Sequence, residues 1–164
     1  MTVTNVTLSN GAIAAGGDLT LNNGATNASG ALVAGANIKA TGQNLTKAAD
    51  GQLSLIADGT ITAKDITATN VVAKTLTTTG DVAVDGGILS LTSTEAAAST
   101  VESLKLTNGT QAVIEGSLKL DGTNKTLTVG TGDDTVGGTT LSAKHIDLND
   151  GMLIVDPDWG LASS

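Results

Sequence analysis

From Ile61 to Leu76 a large aliphatic residue returns at every fifth position, as Ile61, Ile66, Val71 and Leu76. Two residues after each stands a small one, Ala63, Ala68, Ala73 and Thr78. A return of five matches neither the 3.6-residue period of a helix nor the alternation of one long strand. It matches a chain that makes a very short strand, bends, and makes another around one narrow core. The same unit recurs elsewhere as apolar–polar–apolar triplets: Leu19-Thr20-Leu21, Leu53-Ser54-Leu55, Leu89-Ser90-Leu91, Leu104-Lys105-Leu106, Leu118-Lys119-Leu120 and Leu127-Thr128-Val129. Each triplet puts two side chains inward and one outward. Asn10-Gly11, Asn23-Gly24, Asp58-Gly59, Asn108-Gly109 and similar pairs punctuate them as bends.

Asx-Gly pairs also close tight hairpins, so an antiparallel sandwich competes. Strand length separates the two. Sandwich strands run about 5–6 residues and cover their faces with aromatics, whereas these triplets are shorter and aromatics are missing. The pattern predicts an all-β chain folded as a parallel β-helix (a β-solenoid), one domain spanning 1–164. Main coils occupy 1–92, with further coils and a C-terminal cap over 105–164. At roughly 20 residues per coil the chain makes about eight coils, a rod about 40 Å long. One stretch departs from the pattern. Thr92-Ser93-Thr94-Glu95 matches a capping box, and Ala96-Ala97-Ala98 with Val101 and Leu104 predict a short helical excursion near 94–104, a lateral helix set between the coils at 93–104.

Composition sharpens this picture. The 164 residues include no Phe, Tyr or Cys, a single aromatic in Trp159 and a single proline in Pro157. A compact globular core depends on aromatics to fill irregular gaps, while Val, Leu, Ile and Ala stack in register along a thin one. The formal net charge of −8 argues against nucleic acid or an anionic membrane surface as partner, and the acids suit solvated bends. No apolar run is long enough to span a bilayer. Without cysteine there are no disulfides and no thiolate metal sites, a composition compatible with export. Met1-Thr2-Val3-Thr4-Asn5 lacks the basic and apolar parts of a signal peptide, so an internal segment, another export route and no export all stay open.

Candidate chemistry is sparse. His145 is the only histidine, and its alternation with Ile146 points it outward; it reads as a solvated side chain rather than a catalytic base. Asp133-Asp134 and the Asp156/Asp158 pair are the carboxylates a glycan-cleaving β-helix would need, but only Trp159 is available to grip sugar. Trp159 reads as a cap on the last coil. The stretch Val129-Gly130-Thr131-Gly132-Asp133-Asp134-Thr135-Val136 resembles one nonapeptide of the RTX calcium β-roll. It offers Gly130, Gly132 and Asp134 as half of a calcium site, against the alternative of an acidic bend. Thr60, Thr62, Thr67, Thr69, Thr77 and Thr79 raise an ice-binding reading, set against the ordinary preference of exposed strands for Thr.

The block Gly51-Gln52-Leu53-Ser54-Leu55-Ile56-Ala57-Asp58-Gly59-Thr60-Ile61-Thr62-Ala63 resembles the repeat of filamentous-haemagglutinin-type adhesins. So do Gly17-Asp18-Leu19-Thr20-Leu21 and Ala36-Asn37-Ile38-Lys39-Ala40. Leu153-Ile154-Val155-Asp156-Pro157 is similar to autotransporter passenger regions. The resemblance covers most of 11–91. It implies a right-handed parallel β-helix on the bacterial surface or outside the cell: a non-catalytic, structural or adhesive rod without a cofactor. Its partner would be a host-cell or glycan receptor. A self-assembling filament, surface-layer or phage-fibre subunit, paired with copies of itself, is the alternative.

Overall fold

The computed structural model describes residues 1–94, 97–130 and 138–155. Every regular element among them is a β-strand, and the strands pair in parallel. The chain winds as a β-solenoid of about seven turns. The early windings use β1 (Thr2–Val3), β2 (Ser9–Ala15), β3 (Leu19–Leu21), β4 (Ala25–Ala34), β5 (Ile38–Lys39), β6 (Leu45–Lys47) and β7 (Leu53–Ala57). The middle ones use β8 (Thr60–Ala63), β9 (Ile66–Ala68), β10 (Asn70–Ala73), β11 (Thr75–Thr78), β12 (Asp81–Asp85) and β13 (Ile88–Leu91). The last use β14 (Ser99–Val101), β15 (Ser103–Thr107), β16 (Gln111–Leu120), β17 (Thr126–Val129), β18 (Thr140–Asp147) and β19 (Met152–Val155).

Register sorts these strands into three faces. Face one stacks β2, the end of β4, β7, β10, β13 and the first halves of β16 and β18. Face two stacks β1, β3, β5, β8, β11, β14 and the second halves of β16 and β18. Face three starts at an isolated bridge from Val6 to Ala25 and continues through β6, β9, β12, β15, β17 and β19. The five-residue return now has a cause. Ile61, Ile66 and Val71 lie on faces two, three and one in succession, and Leu76 comes back to pair with Ile61. Five residues are one side of a three-sided coil, and 15 residues close that turn.

Other turns are longer because their corners are. Ala112 pairs with Leu141, 29 residues on. The uneven corners explain why the stack has about seven turns rather than the eight that an even 20-residue spacing predicts. Asn5, Asn10, Asn27, Asn108 and Asn149 all take positive φ, between 49 and 60°, where Asn is tolerated better than most side chains.

Inside, aliphatics from successive turns form columns. Leu32, Leu55, Val71 and Leu89 line up on face one, Leu19, Ile38, Ile61 and Leu76 on face two, and Leu45, Ile66, Val82, Leu104 and Leu127 on face three. All are at most 1% exposed, and each fully buried Leu or Ile contributes roughly 1.5–3 kcal/mol of transfer free energy. The small residues of the five-residue stretch, Ala63, Ala68, Ala73 and Thr78, are buried as well. They let the chain turn tightly next to the large aliphatics.

The helix expected over 93–104 is not formed by its described residues. Ser99–Val101 is β14, and Ser103 and Leu104 begin β15. Ser99 and Val101 alternate inward opposite Leu118 and Leu120, so the stack of turns outweighs the local helical preference. Glu95 of the expected capping box lies outside the described residues. The Ser93 hydroxyl donates to the Ala97 carbonyl at 2.7 Å.

Candidate binding surface

Since the inside is filled by its own side chains, the chemistry available to a partner lies on the three outer faces and the corners between them. Face two carries an outward column of Thr2, Thr20, Lys39, Thr62, Thr77, Thr100, Lys119 and Asp147. Face three carries Thr46, Thr67, Ala83, Lys105, Thr128 and Ile154. Apart from Asp147, Ala83 and Ile154, these are hydroxyl and ammonium groups held one rung apart, at about 4.8 Å. Face one differs. Its two outward columns are Ala12, Ala31, Ser54, Asn70, Ile88, Gln111 and Thr140, and Ala14, Val33, Ile56, Val72, Ser90, Val113 and Ser142. Neither contains a charged residue.

Several of the acids sit at corners and receive hydrogen bonds from a neighbouring turn. Asp18 Oδ1 accepts from the Asn37 backbone N–H at 3.1 Å and its side-chain amide at 2.9 Å, and Lys39 Nζ donates to Oδ2. Asn37 Oδ1 in turn accepts from Thr60 N–H at 2.8 Å, and the Thr60 and Thr75 hydroxyls meet at 2.6 Å. Asp65 Oδ1 accepts from Asp81 N–H at 2.8 Å, and Asp81 Oδ1 from the Ser103 hydroxyl at 2.7 Å. Glu102 Oε1 accepts from Asn124 N–H at 2.9 Å and from the Thr123 hydroxyl and N–H at 2.9 and 2.8 Å. The Lys39 ammonium and the Asn37 amide hold the Asp18 carboxyl below its ordinary pKa. The N–H of Asn124, with the hydroxyl and N–H of Thr123, does the same for Glu102. These carboxylates tie one turn to the next, a role that alternation along the sequence does not reveal.

The residues singled out in the sequence scatter over this surface. His145 is exposed on β18, where it pairs with Ser117. Gly130 is buried at φ 77°, its N–H donating to the Leu106 carbonyl at 2.8 Å as part of the ladder. Gly132 and Asp134, the other members of the calcium half-site, lie outside the described residues, as do Asp133, Asp156, Asp158 and Trp159. Among the described residues no three of His, Asp and Glu gather closely enough to hold a metal ion. The threonines of the ice-binding reading do not share one plane. Thr62 and Thr77 stack on face two between Lys39 and Lys119, Thr67 lies on face three, and Thr69 is buried, its hydroxyl accepting from Leu53 N–H at 3.2 Å.

The chain matches no family model, no curated protein and no solved structure.

Proposed function

We propose that this chain is a non-catalytic adhesive segment of a bacterial surface or secreted protein, built on the plan of filamentous-haemagglutinin-type repeats. The polar columns of faces two and three meet a host-cell or glycan receptor. The observation that carries the reading is the outward column of Thr20, Lys39, Thr62, Thr77, Thr100 and Lys119, which holds its register through successive turns. A ladder of hydroxyls and ammonium groups on a rigid sheet offers donors and acceptors at a fixed repeat, which suits an extended polyhydroxylated ligand. The inward aliphatics and corner bonds keep that spacing fixed, so little ordering cost falls on binding.

The test is direct binding of the purified chain to a glycan array and to cultured host cells. Saturable binding is expected, weakened when Thr77 and Thr100 are both replaced by Glu. If no array glycan and no cell type retains the chain at about 100 μM, which corresponds to roughly −5.5 kcal/mol, the adhesive reading fails.

A further inference from the structure

Large hydrophobic side chains are exposed at few places among the described residues. Apart from Met1 and the four residues of β19, those that are exposed are Ile56, Ile88 and Val113, and all three lie on face one. We propose that face one is the interface of a homodimer, covered by the same face of a second copy of this chain.

Three features point to a copy rather than to some other partner. The first is charge. A chain carrying −8 repels its own copies, and faces two and three bring lysines and an aspartate to the surface. Face one alone has outward columns with no Lys, Asp or Glu. Depletion of charge with retention of Val and Ile is the composition of a homodimer centre, whereas a basic partner would be drawn to the acidic corners instead.

The second feature is area. Seven rungs at about 4.8 Å and five residues at about 3.3 Å give roughly 500 Å² per copy, so a pair buries about 1,000 Å², the lower limit for a specific interface. The third is shape. The column of Val33, Ile56, Val72 and Val113 and the parallel column holding Ile88 form two ridges with a shallow furrow between them. A twofold axis lying in the plane of the contact, parallel to the columns, lays a ridge of one copy in the furrow of the other, an isologous contact that closes at two subunits. Asp50, Asp58 and Lys74, just beyond the strands, and the exposed Glu115, where β16 leaves face one, form the polar rim.

The proposal is independent of the adhesive reading, because receptor binding uses the other two faces. Sedimentation equilibrium of the full chain from about 5 to 500 μM covers the affinity that an interface of this size supports. A monomer–dimer equilibrium is expected, tightening at 1 M NaCl as the mutual repulsion is screened. The variant Ile56→Lys with Val113→Lys is expected to sediment as a monomer with an unchanged dichroism spectrum, since both side chains point outward. Should that variant fail to fold, Val72→Thr with Val113→Thr keeps strand propensity and is expected to weaken dimerisation about tenfold or more. A wild-type chain that stays monomeric throughout the range, or a dimer that the folded variants leave intact, overturns the proposal. Loss of dimer with receptor binding retained, or the reverse, shows which of the two readings has failed.

Discussion

Gly30 stands where β4 turns onto face one, with φ near +130°, and a Cβ placed there would lie 1.9 Å from the Gly11 carbonyl oxygen of the preceding turn. Two costs coincide at this one residue: a backbone conformation that side chains rarely adopt and a collision with backbone that cannot swing aside. Gly17 is its opposite, since nothing lies within 4 Å of the corresponding point and its φ is not in the left-handed region. Gly30→Ala is therefore expected to lower stability by about 3 kcal/mol, while Gly17→Ala stays within about 1 kcal/mol and tends upward by restricting the unfolded chain. Urea midpoints of the two variants check this. Equal losses at both positions would show that the close approach of turns at Gly30 does not constrain the corner. Glycines that look alike in the sequence thus differ according to what the neighbouring turn brings near them.

At the scale of the element, the corner carboxylates connect one strand's end to the next turn. Asp18 and Glu102 both have depressed pKa values in the folded chain, so each stabilises it above the ordinary carboxylate range. That contribution is lost as pH falls through the lower, folded value. The variant Asp18→Asn with Glu102→Gln is expected to melt below the wild type at pH 7. The gap narrows as pH falls through the ordinary carboxylate range and closes below it, as the wild-type carboxyls are protonated in turn. A gap that stays constant with pH would mean that the two side chains act by shape alone. The elements themselves were legible wherever an apolar–polar–apolar triplet meets an inward column, as in β3, β7, β13, β15 and β17. They were illegible where that alternation is erased. In β2 and the first half of β16, alanines take inward places (Ala15 and Ala112) while Val113 faces out. In β14 a serine occupies an inward, buried position, satisfied because its hydroxyl accepts from Leu76 N–H at 3.0 Å. A run of Ser, Thr, Ala and Glu reads locally as helix, and only the bond made from 23 residues away explains the strand. The uncharged face was invisible for the same reason. Ala14, Val33, Ile56, Val72 and, through Ser90, Val113 are far apart in the chain and line up only through register.

Across the whole molecule, each turn packs against the turn before and the turn after it, and the core is a stack of layers rather than a centre. Stability in such a stack is a sum of layer terms and nearest-neighbour couplings, so damage to one layer should be felt mainly by its neighbours. Leu55 tests this. It is fully buried, with Leu32 on one side and Val71 on the other in the face-one column. Leu55→Ala removes contacts to both and is expected to cost about 2–5 kcal/mol. Leu153, in the last described strand and 51% exposed, has Leu127 as its paired neighbour, and its replacement by alanine is expected to cost about 1 kcal/mol or less. The distribution of the loss is more telling than its size. Amide hydrogen exchange in Leu55→Ala is expected to accelerate most in β4, β7 and β10, less in β13, and least in β17 and β19, following distance along the stack. Uniform acceleration in every strand would instead mean that the couplings between turns are so strong that the rod opens as one unit. The layered description of its stability would then have to be replaced by a single cooperative transition.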